Sequence, residues 1–187
     1  MAALTDKTAL IIVDVQDGLD EPRLGKRSNP DAERNIARLL ADWRAHERPI
    51  FHVQHTSTEQ NSPLWPELPG NAIKRIVAPQ GDEPVIQKSV SNGFVGTDLE
   101  QRLRKQGVET VVVVGLTIEH CVSSTVRLAS DLGFKTIVVA DATACHDRTS
   151  YDGTYYPAEA IHAHELVSLQ DEFARIVTTD ELLDEGF

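Results

Sequence analysis

Three residues of this chain carry groups that can react together, and each stands where an apolar run ends. They are Asp14, Lys88 and Cys121. A cysteine attacks as its thiolate. A carboxylate beside it takes the thiol proton and later passes a proton to a leaving amine. An ammonium group holds that carboxylate ionised and favours the thiolate. Asp14 directly follows Ala9-Leu-Ile-Ile-Val13, Lys88 closes Val85–Gln87, and Cys121 follows Val111–Val114 and a short turn beginning at Gly115. A helix opening near His120 places the Cys121 sulfur at a helix N-terminus. Free N–H groups and the helix dipole there favour negative charge and suit the oxyanion of a tetrahedral intermediate. Singly, these residues read as a turn former, a surface charge and a small core residue. It is their joint placement at strand ends that points to nucleophilic cysteine chemistry.

The elements that must position them alternate. Ala9–Val13 reads as a strand buried on both faces. Asn29-Pro30-Asp31 opens a helix continued by Ile36, Leu39, Leu40 and Trp43 at helical spacing. Ile50–Val53 is a second strand and Val85–Lys88 a short third. Thr97-Asp98 caps a helix running to Gly107, and Val111–Val114 is a strand. A helix spans about 120–132, Thr136–Ala140 is a strand, a long helix spans about 157–172, and Arg175–Val177 is the last strand. Between the second and third strands, residues 56–84 hold Pro63, Pro66, Pro69, Gly70, Pro79, Gly81 and Pro84 and break regular structure. Loops of this length often bind ligands or close over them. With no internal repeat or linker, the whole chain, 1–187, reads as a single domain. The fold class is α/β: a three-layer α/β/α, Rossmann-like arrangement with a mainly parallel sheet. Ligands bind such sheets outside the carboxyl ends of the strands, where strand order reverses.

Composition narrows the function. The formal net charge of −11 and the lack of a basic stripe argue against nucleic acid as a partner. Two cysteines, Cys121 and Cys145, make neither a disulfide framework nor a four-cysteine metal site. No apolar run approaches the roughly 20 residues of a membrane span, and no signal-like segment opens the chain. The expectation is a cytoplasmic protein that does not engage a membrane. No Gly-x-Gly-x-x-Gly or P-loop pattern is present, so no cofactor is expected.

Several blocks together resemble the isochorismatase-like cysteine hydrolases, a family that includes nicotinamidases, carbamoylsarcosine amidases and ureidoacrylate amidohydrolases. They are Ala9–Gln16, Lys88–Phe94 with Gly96-Thr97 and Leu99, Gly115–Val122, Phe134–Asp141 with Ala142-Thr143, and Val177–Thr179. The resemblance covers nearly the whole chain in order. It implies a six-stranded sheet, Asp14 as general base and acid, Lys88 as its electrostatic partner, and Cys121 as the nucleophile forming a thioester. It also implies a non-proline cis peptide at Leu116–Thr117, an oxyanion hole from the N–H groups of Thr117 and Cys121, and a homo-oligomer, dimer or larger. Where many relatives read Gly-x-x-Thr-x-x-Cys, this chain has Ile118, with Thr117 one residue earlier. Retention of Cys121 favours a small amide or ureide substrate. An enol-ether or ester hydrolase and a non-catalytic binding protein are the alternatives.

Nicotinamidases carry a metal site that starts Asp-x-His; here the stretch is Val53-Gln54-His55 and the aspartate is missing. His52 and His55 stand three apart on a strand and so face opposite ways. No metal is expected, and His55 reads instead as a pocket residue. Phe94, Trp65 and Glu119 join it as candidate substrate contacts. His120 diverges from Cys121 by ~100° on a helix and reads as a scaffold or rim residue. Cys145 reads as an inert structural thiol, Asp147 and Tyr151 as loop residues beside the substrate or in solvent, and His162 and His164 as packing or surface residues.

Overall fold

The computed structural model describes residues 4–185. Its elements are β1 (Thr8–Val13), α1 (Ala32–Ala45), β2 (Ile50–His55), β3 (Val85–Lys88), α2 (Leu99–Lys105) and β4 (Thr110–Leu116). These are followed by α3 (Ser123–Asp131), β5 (Lys135–Ala144), β6 (Arg148–Thr149), β7 (Tyr155–Tyr156), α4 (Ala158–Leu169), β8 (Arg175–Val177) and α5 (Thr179–Asp184). Six strands form one sheet in the order β3-β2-β1-β4-β5-β8, and β6 and β7 form a separate antiparallel hairpin. Every pairing within the large sheet is parallel.

The side-chain alternation of a strand divides the core in two. Ala9, Ile11 and Val13 of β1 pack with Leu99 of α2, Val126 of α3 and Ala158 of α4 on one face. Leu10 and Ile12 pack with Ile36 and Trp43 of α1 and Leu182 of α5 on the other. Because both faces are covered, β1 is apolar without interruption, as a parallel-sheet strand must be. The Trp43 indole also donates to the Thr8 carbonyl at 3.1 Å, which pins α1 to the sheet. No helix among the described residues is long and apolar enough to cross a membrane.

The strand order reverses between β1 and β4, and here the two chains approach closely. Gly115 pairs with Val13 and has φ +120°. A Cβ at Gly115 would lie 2.0 Å from the Val13 carbonyl oxygen. Only glycine allows β4 to end against the residue that precedes Asp14.

The long segment after β2 has no regular strand or α-helix but is firmly tied. The Gln16 amide donates to the carbonyls of His55 (3.0 Å) and Asn71 (2.8 Å) and accepts from the His55 N–H (2.9 Å). The Asn71 amide donates to the carbonyls of His55 (2.9 Å) and Leu64 (2.8 Å). Below this junction lies a cluster of charges. Lys74 donates to Asp20 and Glu33, both at 2.6 Å, and Arg27 forks onto Glu33. The ion pairs fasten residues 20–27 and 74 to the first turn of α1.

Some boundaries differ from the sequence reading. β5 runs to Ala144 rather than Ala140, and α4 stops at Leu169 because Asp171 turns the chain with φ 65°. The β6–β7 hairpin, α5 and two 3₁₀ turns, Asp17–Asp20 and Pro22–Leu24, are too short to show a hydrophobic period.

Candidate active site

Asp14 leaves β1 in the left-handed region, φ 51°, with its side chain buried. Val53 of β2 and Ile86 of β3 face the α3 layer. Two residues further on, His55 and Lys88 continue those rows on the same face and are themselves register partners. The Lys88 ammonium donates to Asp14 Oδ2 at 2.6 Å and to His55 Nδ1 at 3.2 Å. Asp14 Oδ1, also buried, makes no hydrogen bond among the described residues and remains an open acceptor.

Cys121 comes from the other side of the reversal. The peptide between Leu116 and Thr117 is cis. Ile118–Val122 then form a single π-helical turn that runs into α3. Such turns interrupt α-helices mostly at functional positions. The turn is closed by Thr117, whose carbonyl accepts from the N–H groups of His120 (3.1 Å) and Val122 (3.2 Å). The ligating atoms of Asp14, His55 and Cys121 lie within 4.8 Å of one another.

Burial sets the protonation states. It raises the Asp14 pKa above the usual carboxylate range, and the charge and hydrogen bond of Lys88 offset this only in part. Burial also pushes the Cys121 thiol up to about 12, Asp14 adding to the effect and Lys88 opposing it. Desolvation is the largest cause, and the sulfur rests as a thiol whose proton Asp14 is placed to take. Burial and the adjacent Lys88 charge lower the His55 pKa, so its ring is neutral.

These groups open into a cavity of about 180 Å³. One part of its wall is apolar, from Leu19, Leu24, Leu64 and Leu116; another carries His120, His146 and Arg148. Thr117 lines it beside Cys121. A wider hollow of about 470 Å³ lies at the amino end of β2, but its Arg44 and Glu83 pair with each other at 2.7 Å and none of the three reactive residues reaches it.

Of the other candidates, His55 stands on the cavity wall, whereas Phe94, Trp65 and Glu119 do not. Phe94 is buried in the core and stacks on Phe134 with centroids 6.3 Å apart. The segment before it is a staple rather than a wall: the Asn92 amide donates to the Ser124 carbonyl (2.7 Å) and the Gly93 N–H to Thr125 Oγ1 (2.9 Å), joining the turn after β3 to α3. The Trp65 backbone turns within the long segment, its N–H donating to the Ser62 carbonyl. Glu119 faces Arg148 at 3.0 Å, and the same guanidinium approaches His120 Nε2 at 3.3 Å. Cys145 is buried against the Ala158 carbonyl (3.1 Å), and His162 packs against Thr143 (3.0 Å). Asp147 accepts from the Tyr155 hydroxyl at 2.8 Å, and Tyr151 is exposed. His52 turns to the opposite face and meets Glu83 at 2.9 Å, away from His55.

Leu19, Leu24, His146 and Arg148 escaped the sequence reading. The leucines sit in 3₁₀ turns without period. His146 stands two residues past the end of β5, and burial lowers its pKa. The only available signal was position, just beyond the carboxyl ends of β1 and β5.

An asymmetric carboxylate–ammonium pair beside a protonated thiol is suited to covalent hydrolysis. The comparisons agree. The isochorismatase domain family matches residues 8–181. An isochorismatase family protein of Bacillus subtilis is 44% identical over 182 residues, 97% of each chain. A crystal structure of an isochorismatase-family protein from Chromobacterium violaceum superposes with a TM-score of 0.94 at 37% identity, covering 99% of this chain and 97% of that one. More distantly, the maleamate amidohydrolase of Pseudomonas putida is 29% identical over 105 residues, 56% of this chain and 49% of its own. With the fold, the strand-end cluster and nearly full-length similarity in agreement, the chain belongs to the isochorismatase-like cysteine-hydrolase family.

Proposed function

We propose that the chain hydrolyses a carbon–nitrogen bond, an amide or ureide, in a small molecule through a thioacyl enzyme. The observation that carries this reading is the buried Lys88–Asp14 pair, 2.6 Å apart, with Asp14 Oδ1 left open beside Cys121. Asp14 takes the thiol proton as the sulfur attacks the carbonyl carbon. The N–H groups of Thr117 and Cys121 receive the oxyanion. When the tetrahedral intermediate collapses, Asp14 gives its proton to the departing nitrogen and the C–N bond breaks. A water molecule then loses a proton to Asp14 and attacks the thioester. The acid departs, and the proton returns to sulfur. Lys88 donates to Asp14 and balances its charge whenever the carboxylate is ionised.

The cavity supports a small substrate, since about 180 Å³ is below the roughly 300–1,000 Å³ of pockets that hold drug-sized ligands. The activity named for the Pseudomonas putida relative, hydrolysis of an acid amide, is of the same bond class.

The test is intact-mass spectrometry after brief exposure to pooled small amides and ureides, with Cys121→Ala alongside. An acyl adduct and released amine or ammonia only when Cys121 is present would support the reading. Equal turnover by Cys121→Ala would sink it. Product formation without any nitrogen release would shift the reaction to an ester or enol ether.

A further inference from the structure

We propose that His55 is a positioning residue: its neutral Nδ1 accepts a hydrogen bond from Lys88 and aims the ammonium at both Asp14 and Cys121. The inference rests on the reading of Asp14, Lys88 and Cys121 as the reacting set.

A lysine ammonium has three N–H donors and rotates freely on its stem. At the end of β3 this one is buried, so each donor needs an acceptor. Asp14 Oδ2 takes one at 2.6 Å and His55 Nδ1 a second at 3.2 Å. Two fixed directions determine the third, which is left for the sulfur as it becomes a thiolate; Lys88 already favours that charge. Without the second acceptor, the ammonium would be free to swing about its bond to Asp14.

The ring is held for this task from several sides. Its backbone N–H and carbonyl are both bound by the Gln16 amide, at 2.9 and 3.0 Å, and the carbonyl also accepts from Asn71 at 2.9 Å. An ammonium can only donate, so the neutral ring that accepts it at Nδ1 carries its own proton on Nε2. Pairing in register with Lys88 across β2 and β3 brings the two side chains out side by side. His55 therefore serves neither as a proton carrier nor as a metal ligand: its acceptor atom is already spent on Lys88.

The test compares His55→Asn with His55→Leu, which share a shape but differ in whether an acceptor stands near the Nδ1 position. The readout is the rate of Cys121 alkylation by iodoacetamide against pH, without substrate, with buried Cys145 as the internal reference. Thermal melting of each variant checks the fold. His55→Leu is expected to slow Cys121 alkylation at neutral pH about tenfold and to move the profile to higher pH, while His55→Asn stays within about threefold of the parent, the scale on which hydrogen-bonded charge shifts a pKa. Given a substrate, kcat should follow the same order with KM little changed. Parental profiles in both variants, or equal loss in both, would overturn the positioning role. A parent in which Cys121 reacts no faster than Cys145 would strike the triad reading itself, and this inference with it.

Discussion

Lys88 reaches across the whole width of β2 to place its ammonium 2.6 Å from Asp14, a residue 74 positions away in the chain. The two strands that carry them are not neighbours. Adjacent strands lie about 4.8 Å apart, so the span calls for a long, extended side chain. Both side chains are almost wholly shielded from solvent, 0% and 2% exposed. Removing one partner leaves an uncompensated buried charge, at a cost of about 3–5 kcal/mol. Asp14→Asn and Lys88→Met should each lower the unfolding free energy from denaturant melts by that amount, and the double variant should lose much less than their sum. Additive losses in a denaturant double-mutant cycle would show that the pair is not coupled.

The pH profile should bear the mark of Asp14. In the proposed reaction its carboxylate must be ionised to take the thiol proton, and burial raises its pKa above the ordinary 3.8. Activity is therefore present above the raised value and lost as pH falls through it. The acid limb of kcat/KM should have its midpoint above 3.8. A midpoint at or below that value would assign the limb to another group.

Removing the lysine should change what the site binds. Asp14, His55 and Cys121 present an oxygen, a nitrogen and a sulfur within 4.8 Å of one another, but the Lys88 ammonium stands among them and repels a cation. In Lys88→Met that obstacle is gone. A soft divalent ion suited to thiolate and imidazole should then bind. Titration with cadmium should produce a thiolate-to-metal absorption band in Lys88→Met and none in the parent or in the Lys88→Met/Cys121→Ala double variant. Equal bands in parent and variant would show that Lys88 does not guard the site.

The Glu33 cluster should govern acid stability. Burial alone would raise the Glu33 pKa, but Arg27 and Lys74 more than offset it and hold the group at about 2, against 4.5 for a free glutamate. A depressed carboxylate contributes stability that is full above its unfolded value and lost as pH falls through the folded one. The window is therefore from about 4.5 down to about 2. The shift corresponds to roughly 3 kcal/mol at neutral pH. Glu33→Gln should cost about that much at pH 7 and progressively less as the pH falls through this window, by denaturant melts at each pH. A cost independent of pH would mean that packing, not charge, is what the variant loses.

Legibility in the sequence followed burial. Strands covered on both faces are unbroken apolar runs, so β1 and β4 could be read directly, and with them the strand-end positions of Asp14 and Cys121. Lys88 ends an edge strand exposed on one face, and its position was legible from the short Val85–Ile86 run alone. Direction was not readable. Phe94 lies six residues past Lys88, yet its ring gains more by stacking on Phe134 than by lining a polar-edged cavity. Trp65 was placed correctly in the long loop but not on the cavity wall, where Leu64 and Ser62 stand instead. The wall residues Leu19 and Leu24 belong to 3₁₀ turns tied to distant parts of the chain, the first by Asp20 to Lys74, 54 positions away, and the second by Arg23 to the Asn61 carbonyl, 38 away. Such ties leave no local pattern.

The Gln16–Asn71 junction also separates two tasks along the chain. It grips the carbonyl of His55, where β2 ends, and the carbonyls of Leu64 and Asn71 beyond it. Residues 57–70 thus form a closed bight whose two ends are moored at one point, while Asp14, Lys88 and Cys121 hang from the sheet. A change of length or composition within that bight reaches the cavity through Ser62 and Leu64, the two wall residues that it supplies. That part of the wall is moored separately from the strands that carry Asp14 and Lys88.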